Sequence, residues 1–202
     1  MRILPLLIGC QMAIVVSTTN AHPGGHEHTS TPHAPDNVEI GKPLPELDIL
    51  QAGQLHYDKK NDKITYSSWN SSTLKGKPYI VQYLPARSNT GQMNVPLNDA
   101  LLAIDKQNRC RIVSVVDVND HDWGTGIFIK GAMESNFKRT PLCVVVADNK
   151  GVGKKVWSYK NLENVTMIID KDGMVKYEYV GKLNKLQIKN IIKLLNSLPG
   201  WN

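Results

Sequence analysis

The 202-residue sequence contains few cysteines and no block of like charges. Its three cysteines are Cys10, Cys110 and Cys143, and its 24 basic residues are dispersed among 18 acidic ones. This dispersion argues against a nucleic-acid interface and against a membrane-binding block. With 41% hydrophobic and 21% charged residues, the composition also argues against a disordered or collagen-like chain. The length fits one domain with a full core, and no internal repeat is visible.

The N-terminal apolar stretch is too short for a retained transmembrane helix. Residues 1–21 carry one charge at Arg2, an apolar run and a small-residue end at Ala21, which is the pattern of a secretory signal peptide. We therefore predict export to the periplasm with cleavage after Ala21, which removes Arg2 and Cys10 and lowers the formal charge from +6 to +5. The alternative is a lipoprotein box that would acylate Cys10, but it leaves an unusually short hydrophobic region.

Residues 22–37 are rich in His, Pro and Gly and have almost no apolar residue, which predicts a flexible leader before a domain at 38–202. The leader histidines can bind zinc or copper loosely, but no thiolate or carboxylate joins them, so a structural zinc site is not expected. The alternative is a solvated leader without metal. The candidate ligands are His22, His26, His28 and His33.

Runs of β-branched and apolar residues predict buried strands at 77–84, 111–118 and 142–148. The first two are separated by a predicted helix in which Leu97, Leu101, Leu102 and Ile104 recur near helical spacing. A short helix is predicted in "GAMESNFKR", and a hairpin-like segment precedes the first buried strand.

The C-terminal part predicts a β-hairpin and then an amphipathic helix. Two alternating segments flank Lys171-Asp172-Gly173, where Asp-Gly suits a tight turn. Asn184 can cap the last helix, which has one apolar and one lysine-rich face. The order of elements indicates an α/β fold with a central mixed sheet.

Several of these segments resemble known proteins. "GKPLPELDIL", "LKGKPYIVQYLPAR" and "MIIDKDGMVKYEYVG" resemble the opening segment, the active-loop strand and the late hairpin of exported thiol-disulfide proteins and peroxiredoxins. More narrowly, "WNSSTLKGK", "GTGIFIKGAMESN" and "IIDKDGMV" are similar to the YtfJ-like family of small exported bacterial proteins. The resemblance covers residues 38 to 198 and implies a thioredoxin-like fold and an extracytoplasmic location, without a settled reaction.

The loop "YLPARSNTGQMN" departs from the redox members of this superfamily. Ser88 stands where the first cysteine would be and Gly91 where the second would be. Disulfide exchange proceeds through a thiolate, which a serine hydroxyl cannot replace. The usual cis-proline before the hairpin is also replaced, by Asn164 or Val165. A thiol-disulfide oxidoreductase of the usual CxxC type is therefore not expected.

Arg87 and Ser88 follow the first buried strand, where open parallel sheets bind ligands. An arginine beside a helix N-terminus suits a small anionic ligand. The alternative is that Arg87 pairs with a nearby carboxylate and Ser88 caps a helix.

The segment "DVNDHDWGTG" contains Asp117 and His121 and should reach the same edge. It fits neither a calcium loop nor a dinucleotide loop, and its residue types also suit a solvated turn. Glu134 and Asn136, on the short helix, would complete a polar site with Arg87, or lie on an exposed helix face.

The two remaining cysteines, Cys110 and Cys143, can form one disulfide if their Cα atoms approach within about 7 Å, or remain buried thiols. Three hypotheses follow for function. The favoured one is a binding or accessory protein for a periplasmic protein or a small anion. The others are a non-redox enzyme using Ser88, His121 and Glu134, and a metal-binding protein using the leader.

Overall fold

The sheet and the helices around it follow the predicted order of elements. A computed structural model describes residues 38–87, 90–104, 111–121, 126–139, 144–160 and 163–201. The strands are β1 (Asp48–Asp58), β2 (Lys63–Asn70), β3 (Tyr79–Ala86), β4 (Ile112–His121), β5 (Val144–Asp148), β6 (Val165–Ile169) and β7 (Val175–Val180). The helices are α1 (Thr90–Met93), α2 (Val95–Ile104), α3 (Gly126–Arg139), α4 (Val152–Val156) and α5 (Lys185–Ser197). A short 3-10 helix spans Ser71–Leu74.

The described strands form one mixed sheet in the order β2-β1-β5-β4-β3-β6-β7. Strands β3, β4 and β5 are parallel neighbours, whereas β1, β2, β6 and β7 pair in antiparallel fashion. The carboxyl ends of β3, β4 and β5 therefore lie at one edge. The prediction of a mixed α/β sheet with a C-terminal hairpin and a terminal helix is confirmed.

Alternation along β3 divides the core between the two faces of the sheet. Ile80 packs with apolar residues of α2 and α5, and Ala86 packs with those of α3. Val81 and Tyr83 point to the opposite face, where they join a cluster that contains Trp157, next to α4. Both faces of β3 are covered, which explains its continuous apolar sequence.

Two helices differ from the sequence prediction. Helix α3 spans 14 residues rather than a short segment, and the five-residue helix α4 was not predicted. Gly151 precedes α4 and has a φ of +60°. A Cβ atom added there would lie 3.3 Å from an oxygen of the Asp117 carboxylate. A side chain there would meet both an unfavourable φ and a buried carboxylate, so glycine is required.

Helix α5 closes the fold as predicted. The Asn184 side chain accepts the Gln187 N–H at 2.9 Å, and the Gln187 side chain accepts the Asn184 N–H at 2.7 Å, which makes a capping box. Ile188, Ile191 and Leu195 are buried against the sheet, whereas the lysines of the opposite face are exposed. Among the residues described, no helix has the length and apolar character needed to span a membrane.

We expect Ile191→Ala to lower the free energy of unfolding by about 2–5 kcal/mol, because it leaves a cavity under α5. Leu186→Ala, on the same helix, is the matched control. Ile191 is 0% exposed and Leu186 is 66% exposed, so the control should change stability by less than about 0.5 kcal/mol. Urea unfolding followed by tryptophan fluorescence measures both, and equal losses would contradict the docking of α5 described here.

Candidate functional site

The first group of polar residues lies where β3 and β4 end. After a register shift at Pro85, Ala86 pairs with His121, which brings Arg87 beside Asp120. The Arg87 Nε and Nη2 atoms donate to the same Asp120 oxygen at 3.1 and 2.8 Å. The Asp120 side chain is 5% exposed and that of Arg87 is 26% exposed. This charge-assisted pair is therefore partly shielded from water, with part of the Arg87 side chain at the surface.

The start of helix α1 is fixed to the same edge by Thr90. Its hydroxyl lies 2.7 Å from the Pro85 carbonyl oxygen and 2.8 Å from that of Arg87, and Thr90 is buried. Because a hydroxyl has a single hydrogen, it donates to one of these carbonyls at a time. Thr90 and the Arg87 side chain thus fix the start of α1 and the end of β3.

A second group lies beneath the first and centres on Asp117, which is 1% exposed. One Asp117 oxygen accepts the N–H groups of Asn119 and Asp120 at 3.0 and 3.2 Å. The other accepts the Tyr83 hydroxyl at 3.0 Å and lies 3.6 Å from the Lys154 ammonium. Burial raises the pKa of Asp117 above its usual value of 3.8, although the Tyr83 hydrogen bond and the Lys154 charge oppose the rise.

Tyr83 connects this carboxylate to the core. Its ring packs edge-on to Trp157 with centroids 5.8 Å apart, and its hydroxyl accepts the Lys154 N–H at 2.9 Å. Burial, together with the nearby carboxylates of Asp117 and Asp148, raises the pKa of Tyr83. The phenol therefore stays protonated and donates its hydrogen to Asp117.

Asp148 holds the neighbouring helix in place. It pairs with Asp117 in the register of β4 and β5, and its carboxylate accepts the N–H groups of Val152 and Gly153 at 2.9 and 2.7 Å. These donors belong to the first turn of α4, which otherwise leaves them without partners. The two adjacent carboxylates thus have different roles: Asp117 fixes the irregular end of β4, and Asp148 binds the first turn of α4.

Of the residues predicted for the site, the structure brings Arg87 and His121 together, with Asp117 below them. The His121 Nδ1 atom lies 3.0 Å from the Val118 carbonyl oxygen, so the ring is partly held by its own strand. Strand β4 continues through His121, and Asp117 and Asp120 are buried, so residues 117–121 do not form the solvated turn that was the alternative.

Glu134 and Asn136 lie on α3, which packs beside β1 and β2. The Glu134 carboxylate accepts the Tyr66 hydroxyl at 2.6 Å, and Asn136 is buried and bonds the Arg139 guanidinium. Tyr66 belongs to β2, four strand positions from β3, or about 19 Å at the usual spacing. Glu134 therefore bonds the β1–β2 hairpin, whereas the Arg87 guanidinium donates to Asp120.

Several predicted residues lie outside the described part of the chain: Ser88, Cys110, Cys143, His22, His26, His28 and His33. The disulfide and the leader metal site therefore stay predictions. Within the described ranges, no group of three or more His, Cys, Asp or Glu side chains is placed to hold a metal ion.

Sequence reasoning missed Tyr83, Asp148 and Lys154. Tyr83 was overlooked because it lies in an apolar run. A tyrosine in a fully buried strand nevertheless needs a hydrogen-bond partner for its hydroxyl, and this need was the available signal. Asp148 ends one buried strand and Asp117 lies near the end of the predicted strand 111–118, and this repeated position was the available signal. Nothing in the sequence marks Lys154 as their neighbour.

The position of the expected cis-proline is also informative. Asn164 is buried, and its side-chain amide donates to the Asn94 side-chain oxygen at 3.0 Å. Every peptide bond in the described ranges is trans. An amide pair therefore joins the start of β6 to the junction of α1 and α2.

The sequence is similar to a known family of bacterial proteins. The family described as "Bacterial protein of unknown function (YtfJ_HI0045)" matches residues 38–198. The chain is 29% identical over 161 residues to the uncharacterized protein YtfJ of Escherichia coli, covering 79% of this chain and 86% of that protein. It is 26% identical over 163 residues to an uncharacterized protein of Haemophilus influenzae, covering 80% and 88% respectively.

Solved structures of redox proteins share the fold at low identity. One, from Chlorobium tepidum, is provisionally described as the thiol:disulfide interchange protein DsbE; it has a TM-score of 0.52 and 16% identity, covering 79% of this chain and 97% of that one. A mutant of PrxQ from Xylella fastidiosa has a TM-score of 0.51 and 14% identity, covering 79% and 96%. Because the family match extends over residues 38–198, and the sheet and its helices align with these structures, the chain belongs to the YtfJ family and has a thioredoxin-like fold.

Proposed function

We propose that this chain is an exported binding protein that uses the thioredoxin-like fold without thiol-disulfide chemistry and takes a small anion beside Arg87. The observation that carries the proposal is the partly exposed side chain of Arg87, whose guanidinium is held by Asp120 at the carboxyl end of the parallel strands. Ligands of open α/β sheets bind outside this edge. Export is supported by the signal-like residues 1–21.

The Arg87–Asp120 pair is arranged for this role in two respects. Asp120 receives Nε and Nη2 on one side of the planar guanidinium, which fixes the direction of the arginine side chain. The guanidinium also presents its N–H donors in a rigid planar fork, a geometry that matches a carboxylate, phosphate or sulfate. Pre-orientation lowers the entropy that binding would otherwise cost.

The buried group beneath has a supporting role in this proposal. Asp117 binds the backbone N–H groups of Asn119 and Asp120, so it fixes the irregular end of β4 from which the Asp120 side chain reaches Arg87. Tyr83 and Lys154 hold the other Asp117 oxygen from the core side. Asp117 is thus a positioning residue, and the anion would contact Arg87 itself.

The absence of cysteine between Tyr83 and Asn94 leads us to expect no insulin reduction and no peroxide turnover by the purified chain. Without a thiolate at the end of β3, neither reaction has its nucleophile. A thioredoxin with a CxxC site, assayed in parallel, is the positive control. Thiol-dependent turnover that persists in Cys110→Ser plus Cys143→Ser would contradict this part of the proposal.

Inorganic phosphate and sulfate serve as probes of the anion site. In ¹H–¹⁵N correlation spectra, we expect saturable shifts of the Thr90 and His121 amides. Arg87→Gln should weaken binding at least about tenfold, because it removes the charged donor. Asp120→Asn keeps an oxygen that can accept the Arg87 N–H groups but removes the competing negative charge, so it should strengthen binding about threefold or more.

The matched control for Arg87→Gln is Arg111→Gln. Arg111 precedes β4 at the opposite end of the sheet and lies over the Trp201 ring, 5.1 Å from its centroid. Its replacement should leave the phosphate affinity at the Thr90 and His121 amides unchanged. Shifts at these amides that are the same in Arg87→Gln as in the unaltered chain would overturn the anion site.

The supporting role of Asp117 predicts a characteristic pH dependence of stability. Because the folded chain raises the pKa of Asp117 above 3.8, it holds more protons than the unfolded chain from about that pH up to the raised value. The contribution of Asp117 to stability therefore falls as pH rises through this window. The stability of the unaltered chain minus that of Asp117→Asn, measured by urea unfolding, should decrease as pH rises from about 4.

Asp170→Asn is the contrasting variant. Burial alone would raise the pKa of Asp170, but the N–H groups of Met174 and Asp172 and the Lys176 ammonium outweigh it, so the pKa is lowered below 3.8. The contribution of Asp170 is present above the unfolded pKa and lost as pH falls through the folded one. The stability of the unaltered chain minus that of Asp170→Asn should therefore increase with pH. The same sign for both variants would show that Asp117 is not the buried group described.

A further inference from the structure

A cavity of about 270 Å³ opens at the opposite end of the sheet from Arg87. Its walls are residues 43–46 before β1, the 3-10 helix with Lys75, and the turn between β6 and β7. Ile169, which lines it, pairs with Tyr79 at the start of β3, whereas Arg87 follows the end of the same strand. Eight strand residues, or about 25 Å, therefore separate the cavity from the edge that carries Arg87.

Backbone hydrogen bonds fix the walls of this cavity to one another. The Leu44 N–H donates to the Gly173 carbonyl at 2.9 Å, and the Gly76 N–H donates to the Lys171 carbonyl at 2.7 Å. The Leu47 N–H donates to the Ser71 hydroxyl oxygen at 2.9 Å. Three segments that are distant in sequence are thereby locked together, which makes the cavity preformed.

The lining combines an apolar floor with a polar rim. Leu74 and Ile169 are buried at the floor, and Leu44 is half-buried beside them. Glu46 and Lys75 are exposed side chains of the rim. An apolar surface with a few converging polar groups is typical of small-molecule sites, and this volume lies just below their usual range of about 300–1,000 Å³.

The rim carries two side chains of opposite charge, Glu46 and Lys75, which do not form an ion pair with each other. The Glu46 carboxylate accepts the neutral Asn70 amide at 2.7 Å, and Asp172 is neutralised by Lys171 at 2.8 Å. Within the described ranges, the Lys75 ammonium makes no ion pair. The aliphatic part of the Lys75 side chain lies over the turn between β6 and β7, since a Cβ atom added to Gly173 would lie 3.8 Å from Lys75 side-chain carbons. The same rim therefore carries one ammonium group, of Lys75, and one carboxylate, of Glu46, that can each contact a ligand.

We propose that this cavity is a second binding site, which takes a small zwitterion of the amino acid class. The ligand carboxylate would meet Lys75, its ammonium would meet Glu46, and an apolar side chain would lie over Leu74 and Ile169. A molecule with only one of these charges satisfies one side of the rim. Because the site is remote from Arg87, it is independent of the anion proposal.

L-leucine is the probe, with N-acetyl-L-leucine and L-leucinamide as analogues that retain only the negative or only the positive charge. Titrations of the purified chain are followed in ¹H–¹⁵N correlation spectra at the Ser72, Lys75 and Gly173 amides. We expect saturable shifts with leucine at millimolar concentrations, and at least about tenfold weaker binding of each analogue.

Two exposed substitutions test the rim. Lys75→Gln should weaken leucine binding about tenfold and leave leucinamide unaffected, and Glu46→Gln should weaken leucine and leucinamide but leave N-acetyl-leucine unaffected. Lys77→Gln is the control, because Lys77 is an exposed lysine of the same segment that does not line the cavity. It should bind leucine as the unaltered chain does.

The remaining peaks of each spectrum report whether a variant is folded. No saturable shift with leucine up to about 50 mM, where a site of millimolar affinity would be filled, would overturn the proposal. So would equal leucine affinity in Lys75→Gln and Lys77→Gln. Failure of the anion site is seen separately, at the Thr90 and His121 amides.

Discussion

The buried carboxylate of Asp117 joins the packed core of this protein to the polar edge of its sheet. On the core side it receives the hydroxyl of Tyr83, whose ring packs against Trp157. On the edge side it accepts two backbone N–H groups, which fixes the irregular end of β4 that carries Asp120. A buried carboxylate is costly unless its oxygens are satisfied, so these partners are required together.

This arrangement explains how a thioredoxin-like fold can retain its central strand and first helix without a thiol. In the redox members of the fold, that junction must present a thiolate. Here the end of β3 and the helix α1 are held in place by hydrogen bonds of Thr90, by the Arg87–Asp120 pair and by the Asn94–Asn164 amides. The scaffold thus provides a held guanidinium in place of a nucleophile.

The two ends of the sheet differ in construction. At the carboxyl end of β3, the charged groups Arg87 and Asp120 are already in contact. At the other end, Glu46 and Lys75 line a cavity and are not paired with each other, above a floor of buried apolar side chains. A paired edge favours a ligand that adds to an existing contact, whereas the cavity favours a ligand that brings both charges.

The sequence by itself determined the class of fold. Strand and helix periodicity identified the parallel strands, the late hairpin and the capped helix α5, because these features depend on residues close together in the chain. The family resemblance in "WNSSTLKGK" and "IIDKDGMV" likewise came from local motifs. The missing cysteines after β3 were visible without any structure.

Only the tertiary structure decided which polar residues meet. Periodicity tells which face a residue occupies, but it does not identify the partner across a sheet. The contact of Arg87 with Asp120 depends on a register shift between β3 and β4, and that of Tyr83 with Lys154 joins residues 71 positions apart. Glu134 was expected near Arg87, yet it bonds Tyr66, because the packing of α3 on β1 directs it to the hairpin. Local sequence specified the elements, and long-range packing selected the contacts that form the candidate sites.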